Sequence, residues 1–156
     1  MDILTVRGQE SARHELRAAE LFERRFRYRY NHTPKNRPAV VDAVVTKDGA
    51  ISCIVETKCR DMTYEVLMSR YRGEWLVTFD KLERAAALAK GLCVPLVGCL
   101  YLIPDDLLLV LTITRPDGSW ALEFRRERTG TQETINGGFI HRVNAYLPMQ
   151  GATVIA

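Results

Sequence analysis

Histidine and cysteine are scarce in this chain, with three histidines and four cysteines among 156 residues. Cys53, Cys59, Cys93 and Cys99 include no C-x-x-C pair. With so few histidines to complete a ligand set, a structural zinc site is excluded. Cys53 and Cys93 lie in apolar runs and are expected in the core. Long apolar runs are also lacking. The longest stretch, near Val94–Ile103, is interrupted by Pro95 and Gly98 and followed by Pro104-Asp105-Asp106. Nothing at the N-terminus reads as a signal peptide and nothing is long enough to span a bilayer. The expectation is a reduced, cytoplasmic protein with no membrane association. No internal repeat or low-complexity segment is present. An excess of one charge is missing too, because the formal net charge is only +3. That value does not announce a nucleic-acid partner.

What is present is an ordinary globular composition, 47% hydrophobic and 26% charged, enough for a real core. One domain over residues 1–156 is expected, with a core at about 9–114 and an extension at about 115–156. Positive charge is concentrated locally. From Arg24 to Arg37 the sequence is RRFRYRYNHTPKNR, without an acid and with Tyr28 and Tyr30 interleaved. Arg25, Arg27, Arg29, Lys35 and Arg37 suit phosphate contact, with the tyrosines available for stacking. A strand edge protected by positive charge explains the same stretch equally well.

Ala12, Leu16, Ala19, Phe22 and Phe26 recur at helical steps and predict a helix over about Gln9–Phe26. A strand near Arg27–Asn31 and a loop follow. Ala39–Thr46 and Ile51–Lys58 are β-rich and flank Lys47-Asp48-Gly49, a hairpin signal. Residues Arg60–Glu74 are partly helical or loop, and Trp75–Phe79 is a short strand with Trp75 in the core. Asp80 caps a helix of about Lys81–Lys90, ended by Gly91. Strands are expected at Leu96–Ile103, Leu107–Thr114, Trp120–Arg128 and Phe139–Leu147. The segment TGTQETINGG before the last of these is expected to be mobile. The order specifies an α/β fold of helices on a sheet.

The chemistry lies on the hairpin. Glu56 and Lys58 end an apolar strand two positions apart, so they share a face, with Thr57 turned away. Asp42 interrupts the partner run, where a carboxylate needs a partner or a cation. A three-residue loop, with Gly49 left-handed, sets Thr46 opposite Ala50 and Asp42 opposite Ile54. Asp42 is then a diagonal neighbour of Glu56. A two- or four-residue loop separates the two carboxylates onto opposite faces. Two carboxylates suit Mg2+, which prefers few protein ligands plus waters and phosphate. Such an ion stabilises phosphodiester charge and acidifies water. A partly desolvated Lys58 can orient or deprotonate the attacking water. The competing reading is an exposed Glu56–Lys58 ion pair at a strand end.

Asp42, then Glu56-x-Lys58 after thirteen intervening residues, on a hairpin behind a helix, resembles the PD-(D/E)XK nuclease superfamily. The likeness extends over about Gln9–Ile103, and Val41 stands where the motif's name has proline. A bare D…E-x-K match arises roughly once by chance in a chain this long. Glu56-x-Lys58, however, is the only acid-x-lysine here. The resemblance implies a restriction-endonuclease-like core, helix–strand–strand–strand–helix–strand, with extra C-terminal strands. It implies Mg2+- or Mn2+-dependent hydrolysis of DNA, with RNA not excluded, by an enzyme of restriction-endonuclease or Holliday-junction-resolvase type. Many such enzymes are homodimers, since two strands call for two sites. Asp42, Glu56 and the Thr57 carbonyl would hold the metal.

A glutamate of the first helix often joins the family's site. Of Glu10, Glu15, Glu20 and Glu23, Glu15 lies near the apolar face at the matching distance; otherwise it is a boundary residue. Lys81 would reach in from the second helix, or be a surface residue. Arg60 could touch a phosphate, as could Arg125, Arg126 and Arg142. His14 and His141 fit no nucleophile–base arrangement. The alternative to a nuclease is a catalytically inactive nucleic-acid-binding or regulatory protein on the same fold.

Overall fold

The computed structural model describes residues 5–133 and 138–156. Helix α1 (Val6–Phe26) leads into strands β1 (Arg29–His32), β2 (Ala43–Lys47) and β3 (Ala50–Arg60). Helix α2 (Tyr64–Arg70), β4 (Glu74–Thr78) and α3 (Phe79–Gly91) follow. The chain ends with β5 (Leu96–Leu102), β6 (Leu107–Thr114), β7 (Arg125–Glu133), β8 (Phe139–Pro148) and β9 (Thr153–Ile155). This is an α/β fold with a mixed main sheet.

The main sheet has the order β1-β2-β3-β5-β6-β9. β1, β2 and β3 form an antiparallel meander, and α3 lies in the crossover that returns β5 parallel to β3. A second sheet, β4-β8-β7, is antiparallel throughout. β5 is buried at every position, as a strand covered on both faces should be. Alternate residues of β3 feed two cores. Cys53 and Val55 face α1 with Ala19, Phe22 and Tyr30. Ile54 faces the other way, among Leu82, Ala85, Trp75 and Leu147 of α3, β4 and β8.

Helix α1 is capped by Thr5, whose Oγ1 accepts the Gly8 N–H at 3.1 Å. It ends at Arg27, in the left-handed conformation (φ 61°). Arg27 is therefore a cap and not part of the expected strand, which begins at Arg29. Arg17 ties the helix to the β5–β6 turn through two bonds to Asp106, of 2.6 and 2.9 Å. The buried face runs through Ala18, Leu21 and Phe22, while Leu16 is exposed. Leu16 thus leaves the expected apolar stripe. The helix is rolled toward the side that carries Glu15.

Other boundaries also differ. Asp80 lies inside α3, whose N-cap is Thr78, and Gly91 is the last helical residue, not the stop beyond it. Cys93 is exposed, unlike buried Cys53, because the chain turns there with φ 54°. The strand expected from Trp120 begins only at Arg125. Before it, Leu122 and Phe124 pack against the α3-side core from an irregular segment. Of the expected mobile segment, residues 129–133 belong to β7, and 134–137 lie outside the described residues. The short strand β9 has no counterpart in the sequence reading. Among the described residues no helix is long and apolar enough to cross a membrane.

Candidate active site

The hairpin brings Asp42 to Glu56 by a route the sequence pattern does not display. Its loop has two residues, Asp48 and Gly49, both with positive φ (51° and 79°), and Lys47 faces Ala50. That register alone would put Asp42 and Glu56 on opposite faces. A bulge corrects it. Thr46 pairs with Ile51 but Val45 with Cys53, leaving Ser52 as the extra residue of β3. From there Val44 faces Ile54 and Ala43 faces Val55. Continued one step past β2, this register sets Asp42 beside Glu56 on the same face, where Lys81 Nζ reaches both carboxylates. The expected three-residue loop is thus corrected to two residues plus a bulge, and the shared face remains.

Asp42 stands just before β2, where the partner strand leaves the sheet, while β3 runs on to Arg60 beside β5. The Thr57 N–H, with no β2 residue opposite, donates to Asp42 Oδ2 at 2.8 Å. The Asp42 backbone is held on both sides, its N–H donating to Val55 O and its carbonyl accepting from the Thr33 N–H. On the α1 side, the Thr57 hydroxyl hydrogen-bonds the Tyr30 hydroxyl. Thr57 therefore presents its side chain to one core and its backbone to Asp42.

Glu56 is 3% exposed and lies on the α3 side of the sheet. Lys81, in the first turn of α3, places Nζ 2.8 Å from Glu56 Oε2 and 3.5 Å from Asp42 Oδ1. Glu56 Oε1 is buried and has no hydrogen-bond partner among the described residues. Burial, and then the charge of Asp42, pushes the Glu56 carboxyl up to about 8. Burial acts on Asp42 in the same sense, but Lys81, Glu56 and the Thr57 N–H outweigh it and hold that carboxyl below its ordinary value. Burial opposes the charge on Lys81, yet Glu56 and Asp42 together raise its pKa. One carboxylate of the pair is thus firmly ionised, while the other retains a proton readily.

Lys58 follows Glu56 on the same face and is exposed at the mouth of the site. The surrounding walls still desolvate its ammonium, and Arg60 and Lys81 add like charge, so its pKa is lowered. Among the described residues Lys58 has no ion-pair partner. A fixed Glu56–Lys58 ion pair is therefore absent, and Lys81 takes the place expected of Lys58.

Two clefts open beside the carboxylates. One, of ≈210 Å³, is lined by Glu15, Lys35, Arg37 and Asp42. Glu15 thus shares a cleft with Asp42, but its Oε2 pairs with Lys35 Nζ at 2.6 Å. The other, of ≈420 Å³, is lined by Lys81, Arg84 and Arg142. Arg84 escaped the sequence reading, although it lies three residues after Lys81 on one helical face. The basic stretch is divided. Lys35 and Arg37 reach the site, whereas Arg29 pairs with Thr46 near the far, turn end of the hairpin. Arg25 and Arg27 end α1, with Arg25 over the Phe26 ring. β1 is an edge of the sheet, so the edge-protecting role applies to Arg29. Arg60 is half-buried on the Lys58 side of β3.

Gly98 is the cross-strand neighbour of Glu56. A Cβ there would lie 2.7 Å from Trp75 Cζ3 and 2.9 Å from Ile113 Cδ1. Both neighbours are buried and cannot withdraw. Gly98→Ala is expected to destabilise the fold by about 1–3 kcal/mol, measured by urea unfolding against wild type.

Among the described residues no three His, Cys, Asp or Glu side chains group to hold a metal. The donors that do converge are two carboxylates and the Thr57 backbone. Oxygen donors of this kind fit a hard divalent ion that keeps most of its waters. The unpaired Glu56 Oε1 supplies a vacant lone pair for one. No protein-family model matches this chain, and no curated protein matches it.

Proposed function

We propose that this protein is a Mg2+- or Mn2+-dependent nuclease that hydrolyses DNA phosphodiester bonds. The observation that carries the reading is half-buried Asp42 beside buried Glu56, whose Oε1 is unpaired among the described residues, between two cation-lined clefts. The order α1-β1-β2-β3-α3-β5, with α2 and β4 inserted, supports a restriction-endonuclease-like core. Asp42, Glu56 and the Thr57 carbonyl would hold the ion. When bound, the metal supplies positive charge to the phosphate in the transition state and favours ionisation of water.

The chain's own groups do the rest. Thr57 N–H fixes one Asp42 oxygen, leaving the other toward the site. Lys58, exposed and lowered in pKa, accepts a proton at Nζ from the attacking water or orients it. Lys81 neutralises the carboxylates and moves toward phosphate when another cation takes them over. Lys35 and Arg37 on one flank, and Arg84 and Arg142 on the other, bind the backbone with little regard to sequence. Glu15 adds negative charge to the Asp42 cleft once its pair with Lys35 opens. Two copies acting together would cut both strands.

One observation favours the alternative of a nucleic-acid-binding protein without chemistry. Lys81 already sits between both carboxylates, as a structural cation would. Lys58→Ala separates the two. Purified wild type and variant are incubated with Mg2+ or Mn2+ and single-stranded, double-stranded or branched DNA. The nuclease reading expects cleavage by wild type and a loss of about 10²-fold or more in the variant. Binding by both without cleavage by either establishes the alternative.

A further inference from the structure

Beyond Lys58 on the same face of β3, Arg60 enters a separate pocket of ≈430 Å³. Arg70, Tyr71 and Arg72 form its rim, and Trp75 lies in its wall. Arg125 and Tyr146 close another side, the guanidinium 3.7 Å from the ring centroid. Arg125 is neutralised there by Glu74, at 2.8–3.2 Å, and also pairs with Glu127. Arg60, Arg70 and Arg72 have no carboxylate partner among the described residues. Exposed Arg70 and Arg72 are solvated. Arg60 is half-buried, and among the described residues the one hydrogen bond of its guanidinium is a 3.5 Å contact with the neighbouring Cys59 carbonyl. A partly desolvated guanidinium without a counter-ion calls for an anion. The Trp75 indole N–H is buried without an acceptor among the described residues. Tyr71 is 44% exposed at the rim, and the Arg70 guanidinium lies 5.8 Å from its ring centroid, which leaves the opposite face of the ring for a base.

Position narrows the ligand. Glu56, Lys58 and Arg60 follow one another along one face, so Arg60 stands roughly 13 Å from Glu56. A strand whose phosphate lies at Asp42 and Glu56 reaches this pocket with a nearby nucleotide. Three unopposed arginines suit its phosphate, and an exposed aromatic ring suits its base. We infer that the pocket is a nucleotide subsite, in which Arg60, Arg70 and Arg72 hold a phosphate and Tyr71 stacks on the base of a bound single strand. This subsite rests on the nuclease reading and names its substrate more closely, as DNA with an unpaired nucleotide beside the scissile bond. An intact duplex does not present an unstacked base.

The test reads Trp75 emission in Trp120→Phe protein, since the chain has two tryptophans. EDTA prevents hydrolysis. Thymidine 5′-monophosphate, a short oligothymidylate and inorganic phosphate are titrated separately. Both nucleotide probes should alter the emission, the oligomer binding at least about tenfold more tightly, and phosphate more weakly than either. Arg60→Gln should weaken the nucleotide probes about tenfold. Arg72→Gln, at an exposed position that folding tolerates, should weaken them about threefold. An unchanged emission, or unchanged affinity in both variants, overturns the subsite. Equal affinity for monophosphate and oligomer makes a free nucleotide the occupant and overturns the strand. Phosphate binding as tightly as the monophosphate overturns the base contact. Cleavage assays separate this from the parent reading. Binding as described in a protein that never cuts DNA removes the nuclease and keeps the pocket. Cutting with KM unchanged in Arg60→Gln and Arg72→Gln does the reverse.

Discussion

Glu56→Gln protein is expected to be at least as stable as wild type at neutral pH and to lose at least about 10³-fold in DNA cleavage. The two halves have one cause. Burial and Asp42 raise the Glu56 carboxyl to about 8, so the metal-free protein holds it largely protonated at neutral pH. Glutamine reproduces that neutral form and its volume, and a neutral amide beside Asp42 carries no like charge. The divalent ion, in contrast, needs the carboxylate. The pH dependence has a definite sign. Because the folded-state pKa lies above the unfolded value, Glu56 adds stability at pH below about 4.5 and loses it progressively as pH rises to about 8. Urea unfolding of wild type in EDTA should show this decline between those limits. The Gln variant should lack that component. A variant that unfolds spontaneously at neutral pH, or cuts DNA at an undiminished rate, contradicts the account.

Lys81→Met is expected to destabilise the metal-free protein and to make its stability depend on Mg2+. Without the ammonium, Asp42 and Glu56 face each other with no cation between them. Removing one partner of a fully buried pair costs about 3–5 kcal/mol. Two features reduce that here. The Lys81 side chain is 41% exposed, and Glu56, already largely protonated at neutral pH, leaves little negative charge beside Asp42 without a partner. The expected loss is about 1–2 kcal/mol, with a fall in Tm of several degrees. Added Mg2+ should restore more stability to the variant than it adds to wild type, because no ammonium competes for the carboxylates. Thermal melts with and without millimolar Mg2+ measure both effects. An equal Mg2+ response in the two proteins would show that Lys81 and the ion occupy different places.

The parts legible in sequence were those with strong periodicity or an unusual charge. The helical repeat located α1, and two β-rich runs around Asp48-Gly49 located the hairpin. The only acid-x-lysine marked the end of β3. The register was not legible, because Ser52 in a β-rich run gives no sign that it will be extruded. The bulge there and the shorter loop each shift the pairing by one, so the expected common face of Asp42 and Glu56 survives with different partners opposite. Leu122 and Phe124 suggested a strand, since apolar alternation cannot distinguish a paired segment from an irregular one laid on the core. That Lys81, and not Lys58, pairs with the two carboxylates was not legible, because it depends on how α3 is set against β3. The cluster of Arg60, Arg70 and Arg72 arises only when α2 and the turn after it bring the last two to the pocket that Arg60 lines.

The most direct measurement of the central claim is the rate at which wild-type protein cuts end-labelled branched and single-stranded DNA as Mg2+ is titrated into an EDTA-treated sample. The account predicts no cleavage without the ion, a saturable rise with it, and recovery of activity with Mn2+. Cleavage at the same rate in EDTA would contradict it.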